Sequence, residues 1–177
     1  PGSRRSADPG FGRHTMYVSP RENIQQAIEE CARQGGGTVV LNPGTHLVTY
    51  NITIRTRVNL VGYGNDISTL QFATAAFNIS ATDIGNFALR DFSMETSSGV
   101  AGINITSCFA FTVYNVLCAG NNIGLRIIGS NRFSISNSLM SQNTIGMSII
   151  GSTLWSIYNT HVIDSISHGM TIEDTAL

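Results

Sequence analysis

The chain has 177 residues, enough for one domain with a sizeable core. Only 12% of them are Asp, Glu, Lys or Arg, against about a quarter in a typical soluble domain, and the formal net charge is −1. That balance supplies neither a basic footprint for nucleic acid nor a polybasic patch for a membrane surface, and no apolar run reaches membrane-spanning length. The three cysteines, Cys31, Cys108 and Cys118, lack metal-ligand spacing and read as small core hydrophobes.

In chain order, residues 1–15 show no periodicity and precede Met16, so they read as a flexible leader, with the folded domain over residues 16–177. Ser19-Pro20-Arg21-Glu22 has the spacing of a capping box with Pro at the first helical position, which predicts a cap helix over about residues 20–34. Ile24, Ala27, Ile28 and Cys31 form one apolar stripe, and the run Gly35-Gly36-Gly37 ends it. Strands follow in TVVLNPGTHLV and TRVNLVGYG.

From Gly102 onward three segments superpose without gaps: GINITSCFAFTVYNVLCAGNNI, GLRIIGSNRFSISNSLMSQNTI and GMSIIGSTLWSIYNTHVIDSIS. A looser copy, AFNISATDIGNFALRDFSMETS, precedes them. The leading glycines Gly102, Gly124 and Gly146 are 22 residues apart, and Gly169 reopens the pattern one residue late. Phe87, Phe111, Phe133 and Trp155 share a column, followed two residues later by Leu89, Val113, Ile135 and Ile157. Further columns hold Met94, Cys118, Met140 and Val162; Phe77, Ile103, Leu125, Met147 and Met170; and Ile79, Ile105, Ile127, Ile149 and Ile172. Apolar residues two apart require strands, and identical columns at a fixed interval require each coil to stack on its neighbour. The expected fold is all-β: a right-handed parallel β-helix with coils over about residues 37–177, plugged at its front by the cap helix against edge-to-edge pairing.

Asp91, Asn115, Asn137 and Asn159 form a column at a bend, where Asn tolerates the left-handed conformation and its side chains can bond along the axis. They read as a structural ladder. The sequons at Asn51, Asn78 and Asn104 carry little weight in so Asn- and Thr-rich a chain. No second helix closes the far end, which leaves two alternatives: a longer protein, or self-association through the uncapped end.

The segments IQQAIEECARQGGGTVVLNPGTHLV and VNLVGYGNDISTLQF resemble the N-terminal cap and first coils of the pectin-lyase-like β-helix superfamily, over roughly residues 16–177. That resemblance implies a polysaccharide or oligosaccharide partner and an extracellular or particle-surface location. Polygalacturonases of this kind carry paired carboxylates in the turn before one strand column. The same coil positions here read Asn121-Asn122-Ile123-Gly124, Asn143-Thr144-Ile145-Gly146 and Ser167-His168-Gly169, so the general acid of that mechanism is missing. The lyases of the superfamily use Ca²⁺ held by several acids. The scattered acids here do not support one, and no cofactor is expected. The one assembly of titratable groups is near the last coil, where Asp164, Glu173 and Asp174 approach His161 and His168 if the coils stack, with His168 as a proton shuttle partnered by Asp164.

The outward slots suggest binding more than catalysis. Tyr114 and Tyr158, with Ser136 between them, present aromatic faces for sugar rings, while Arg126 and Arg132 occupy slots that can meet uronate carboxylates. Ser93, Leu117, Leu139 and His161 form another outward column that exposes two leucines. Three readings follow: a saccharide-binding β-helix with little or no activity, a lyase or hydrolase with its site in the last coils, and a structural module such as a tailspike segment.

Overall fold

The structure is a computed structural model that describes residues 14–74, 76–96 and 101–174. Strand β1 (His14–Val18) precedes helix α1 (Ile24–Arg33), and β2 (Gly37–Leu41), β3 (Gly44–Val48), β4 (Ile52–Thr53), β5 (Val58–Val61) and β6 (Ser68–Phe72) follow. The repeat contains β7 (Ile79–Thr82), β8 (Gly85–Glu95), β9 (Ile103–Thr106), β10 (Phe109–Ala119), β11 (Ile123–Ile128) and β12 (Asn131–Ser136). It ends with β13 (Leu139–Ser141), β14 (Ile145–Ile150), β15 (Thr153–Tyr158), β16 (His161–Ile163) and β17 (His168–Glu173). Every pairing is parallel, each strand lying against its counterpart one coil away. The result is the expected right-handed parallel β-helix, an all-β solenoid of about 7 turns.

Three walls enclose the core. The first wall runs β1-β2-β5-β8-β10-β12-β15, and the third runs β4-β7-β9-β11-β14-β17. The second, made of β3, β6, β13, β16 and the far halves of β8 and β10, joins the first because β8 and β10 continue around one bend. Inside the first wall the rings of Phe87, Phe111 and Phe133 stack at centroid separations of 5.0 and 4.8 Å, and Trp155 caps them at 6.3 Å. The three phenylalanines are buried, and removing each from water contributes about 1.5–3 kcal/mol. The second wall contributes His46, Leu70, Met94, Cys118 and Met140 to the same core. His46 is an unexpected member, its Nε2 lying 2.9 Å from the Asn42 carbonyl.

The bends are as regular as the walls. One coil turns at Ser107, Ala110, Asn115 and Gly120, the next at Gly129, Arg132, Asn137 and Gln142, and the next at Gly151, Leu154, Asn159 and Asp164, all with positive φ. The expected ladder occupies the bend between the first and second walls: Asn115 donates to Asp91 at 2.9 Å, and Asn159 to Asn137 at 2.6 Å. At the bend after the third wall the Ser130 hydroxyl accepts from the Cys108 N–H at 3.0 Å, and Ser152 accepts from the Ser130 N–H at 3.1 Å.

From Ile79 onward the chain length between walls is constant on two sides of the prism. Ile79 to Phe87 matches Ile103 to Phe111, Leu125 to Phe133 and Met147 to Trp155; Phe87 to Met94 likewise matches the three segments above it. Only the passage from second to third wall changes, from Met94 to Ile103, Cys118 to Leu125, Met140 to Met147 and Val162 to Met170.

Three expectations are corrected. The columns place Phe77 and Ile79 opposite Ile103 and Ile105, whereas the structure pairs Ile79 with Ile103 and Ala81 with Ile105. A shift of two residues keeps the same face inward, so hydrophobic pattern cannot distinguish the two registers. The cap helix starts at Ile24, not near residue 20, because Pro20 and Arg21 form a turn: Arg21 has φ 83° and the Glu22 N–H bonds to the Ser19 carbonyl at 3.0 Å. Glu22 does reach back to the Ser19 N–H at 2.6 Å, but Asn23 is the true cap, accepting from the Gln26 N–H at 3.0 Å. His14 and Thr15, expected in the leader, belong to β1, opposite Gly37 and Thr38; the rest of that segment, residues 1–13, lies outside the described residues.

The buried stripe of α1 is Ile24, Ala27, Ile28 and Cys31, as expected. Gly36 follows it with φ 125°, where a Cβ would meet the Arg57 carbonyl at 2.6 Å, so only glycine fits. All three cysteines are buried and unpaired, and burial raises each thiol above its ordinary pKa.

Candidate functional site

The outer face of the first wall carries two columns side by side. In one, Tyr17, Val40, Val61, Arg90, Tyr114, Ser136 and Tyr158 stand in register. Tyr17, Tyr114 and Tyr158 are 62%, 38% and 57% exposed, while Ser136 between the last two is sunk to 1%. Two residues back along each strand lie Thr15, Thr38 and Asn59, then Ala88, Thr112, Ser134 and Ser156. Strand alternation turns both columns outward because the residues between them, Leu89, Val113 and Ile135, are buried. The face therefore presents three exposed tyrosines in a mixed column, with hydroxyl and amide groups along one side. Arg90 is held by Asp91, with Nε 3.5 Å from Oδ2. At the Tyr17 end the row meets a cleft of about 360 Å³ between β1 and α1, lined by Tyr17, Glu22, Gln26 and Glu30 among others.

The bend before the third wall has a different character. Asn121 and Asn143 are 3% and 0% exposed and form an internal amide ladder. The Asn121 N–H and Nδ2 both donate to Asn143 Oδ1, at 2.9 and 3.1 Å, and Asn143 Nδ2 donates to the Cys118 carbonyl at 3.0 Å. The glycine frame follows from close packing at this bend, against the ladder amides, the Cys118 sulfur, the Val162 side chain and the backbone carbonyls of the next coil. A Cβ on Gly102 would lie 2.9 Å from Asn121 Nδ2, and one on Gly124 would lie 2.8 Å from Asn143 Nδ2. The glycines thus mark close packing of strand starts. Their spacing needs no catalytic explanation.

The candidates of the last coil lie on the surface without joining into one hydrogen-bonded group. His161, Asp164, His168, Glu173 and Asp174 are all exposed. The His168 Nδ1 lies 2.7 Å from the Ser167 hydroxyl rather than against Asp164, which sits at a bend with φ 54°. His168 and Glu173 occupy opposite ends of β17, about 16 Å apart at strand rise, too far to share a reacting atom. Among the described residues no group of three or more His, Cys, Asp or Glu side chains could hold a metal ion.

Arg126 is on the third wall, away from the tyrosines, in a column with Ser80, Asn104, Ser148 and Thr171. Its Nε and the neighbouring Asn104 Oδ1 are buried without hydrogen-bond partners. Arg132 is exposed at the bend that opens β12, on the hydroxyl side of the first wall. The four binding candidates therefore divide between two faces. Leu117 and Leu139 are half-buried, beside buried Ser93 and exposed His161. Sequence reasoning missed Tyr17, which precedes the repeat; the alternation in HTMYV was the signal for its strand.

No family model and no curated protein matches this sequence. Among solved structures it is similar to the catalytic unit of a GH87 α-1,3-glucanase from Streptomyces thermodiastaticus, with TM-score 0.71 and 18% identity over 87% of this chain and 30% of that one. It is also similar to a Parabacteroides merdae protein provisionally assigned as a glycosyl hydrolase, with TM-score 0.62 and 14% identity over 85% and 86% of the two chains. A third similarity is to an Azotobacter vinelandii mannuronan C-5 epimerase A-module, with TM-score 0.53 and 18% identity over 77% of this chain and 51% of that one. This chain thus spans about half of the epimerase module and under a third of the glucanase unit. At such identities the likeness is one of fold: a parallel β-helix.

Proposed function

We propose that this chain is a polysaccharide-binding β-helix module with little or no catalytic activity of its own. The observation that carries the reading is the first wall's outer face, where exposed tyrosines stand in register beside a column of hydroxyls. Pyranose rings offer apolar C–H faces to aromatic rings and hydroxyl edges to Ser and Thr, so both halves of the ligand are matched. The likeness in fold to an α-1,3-glucanase and a mannuronan C-5 epimerase supports the same class of ligand. Against hydrolysis stands the amide ladder of Asn121 and Asn143, which occupies the bend where the resemblance calls for carboxylates.

The test is retardation in native gels containing individual polysaccharides, comparing the wild type with the Tyr114→Ala/Tyr158→Ala double variant. Retardation by at least one polysaccharide, abolished in the variant, is expected; equal retardation of both proteins would defeat the reading. Polygalacturonate, pectin and alginate are expected to yield neither new reducing ends nor unsaturated products, with or without calcium. Product formation that disappears in His168→Ala would instead favour an enzyme whose site includes the exposed His161, Asp164, His168, Glu173 and Asp174.

A further inference from the structure

In the last coils the first wall's outward column alternates: Tyr114 and Tyr158 stand two coils apart with Ser136 between them, whereas Val40 and Val61 adjoin in the early coils. Adjacent parallel strands lie about 4.8 Å apart, so the two tyrosines are separated by about 9.6 Å. The row from Tyr17 to Tyr158 spans six spacings, roughly 29 Å. Sunken Ser136 leaves a shallow step between the two tyrosines that flank it.

We propose that the saccharide held here is an extended ribbon of equatorially (1→4)-linked pyranosides, lying parallel to the solenoid axis. In such a ribbon each sugar is turned over relative to its neighbours, so the same ring face recurs at every second residue. That repeat is close to two strand spacings, which is the interval between Tyr114 and Tyr158. Alternate sugars then rest on tyrosines, while the intervening sugar crosses the step at Ser136. The column of Thr112, Ser134 and Ser156 runs beside the chain and offers a hydroxyl to each residue in turn. A ligand laid across the coils would meet one tyrosine only, because each coil contributes a single residue to the column. An α-(1→4)-linked glucan coils away from a straight row and has the same limit. Arg90 is paired with Asp91, and Arg132 stands at the edge of the strip, so the shared chemistry is the ribbon itself, neutral or uronate.

The inference rests on the saccharide-binding reading of this face, and its test separates the two. Calorimetric titrations would compare ladders from disaccharide to octasaccharide of three kinds: cello-oligosaccharides (neutral ribbon), mannuronan oligosaccharides (acidic ribbon) and malto-oligosaccharides (α-linked coil). Affinity for a ribbon ladder is expected to rise about tenfold or more between disaccharide and tetrasaccharide, where a second linked contact becomes reachable. Tyr158→Ala is expected to flatten that rise and keep the disaccharide affinity, with an unchanged far-UV circular dichroism spectrum showing that the coil stack is intact. Whichever ribbon ladder shows the rise identifies the ligand as neutral or acidic. Binding that needs Tyr114 but does not grow with length, or malto-oligosaccharides that bind as tightly as the ribbons, would overturn the axial ribbon and leave saccharide binding standing. Failure of every ladder and every polysaccharide would remove the underlying reading as well.

Discussion

Replacing Phe133 with alanine removes the ring that links Phe111, 4.8 Å on one side, to Trp155, 6.3 Å on the other. Phe133 is buried in a stack of fixed spacing, so neighbouring coils cannot collapse into the space without breaking their ladder hydrogen bonds. Transfer and cavity costs together put the loss at about 4 kcal/mol. With a urea dependence of about 2 kcal/mol per molar, the midpoint should fall by about 2 M. Trp155, the single tryptophan, stacks on that ring, so its fluorescence reports the coil directly while far-UV circular dichroism reports the whole solenoid. Trp155→Ala is the control. Its side chain is half-buried and meets only one ring, so its cost, read by circular dichroism, should stay under about 2 kcal/mol. A Phe133→Ala loss below about 1 kcal/mol, or one smaller than that of Trp155→Ala, would refute the ring stack as the centre of the core.

Asn115→Ala should cost about 1–2 kcal/mol, because it loses the bond to Asp91 and forces alanine into φ 50°; Asn115→Gly should recover the backbone part, as compared in parallel urea titrations. Asn143→Asp should destabilise by about 2–4 kcal/mol at neutral pH, since a buried carboxylate oxygen would face the Cys118 carbonyl, and the deficit should shrink as acid protonates it. The same variant should gain no hydrolase activity in a reducing-end assay. Glu29 is held below its ordinary pKa first by its hydrogen bond to Arg55, so the stability this pair supplies is present above the ordinary value of 4.5 and is lost as pH falls through the lowered folded value. Both side chains are well exposed, so Arg55→Met should cost under about 1 kcal/mol at neutral pH and nothing measurable once Glu29 is protonated, a difference readable in thermal melts across pH.

The repeat was legible where glycines fixed the frame and bulky residues shared a face: the Phe and Trp stack, the Asn ladder and the apolar stripe of α1 could all be placed from residues alone. The earliest third-wall column slipped by two because Phe77 and Ile79 satisfy the inward face equally well in either register. Of the four bends in each coil only the Asn column announced itself. Ala110, Arg132 and Leu154 hold the left-handed conformation with side chains that carry no such preference, so the stack imposes it on them. The tyrosines were visible but the neighbouring hydroxyl column was not, because Thr112, Ser134 and Ser156 are individually unremarkable until the strands are aligned. Burial of Asn121 and Asn143 was likewise hidden, since an amide at a turn reads the same whether it faces water or the interior.

The constancy of two sides of the prism and the variability of the third have a practical meaning for how such a chain can diversify. Residues added between the second and third walls leave the ring stack, the amide rows and the tyrosine strip in place, as the differing passages from Met94 to Ile103 and from Cys118 to Leu125 already demonstrate. The early coils vary at another corner too: Leu70 follows Leu60 by ten positions where Met94 follows Leu89 by five, yet both pairs stay in register. New loops can therefore be grafted between the second and third walls, or between the first and second, while the inward columns keep their stacking.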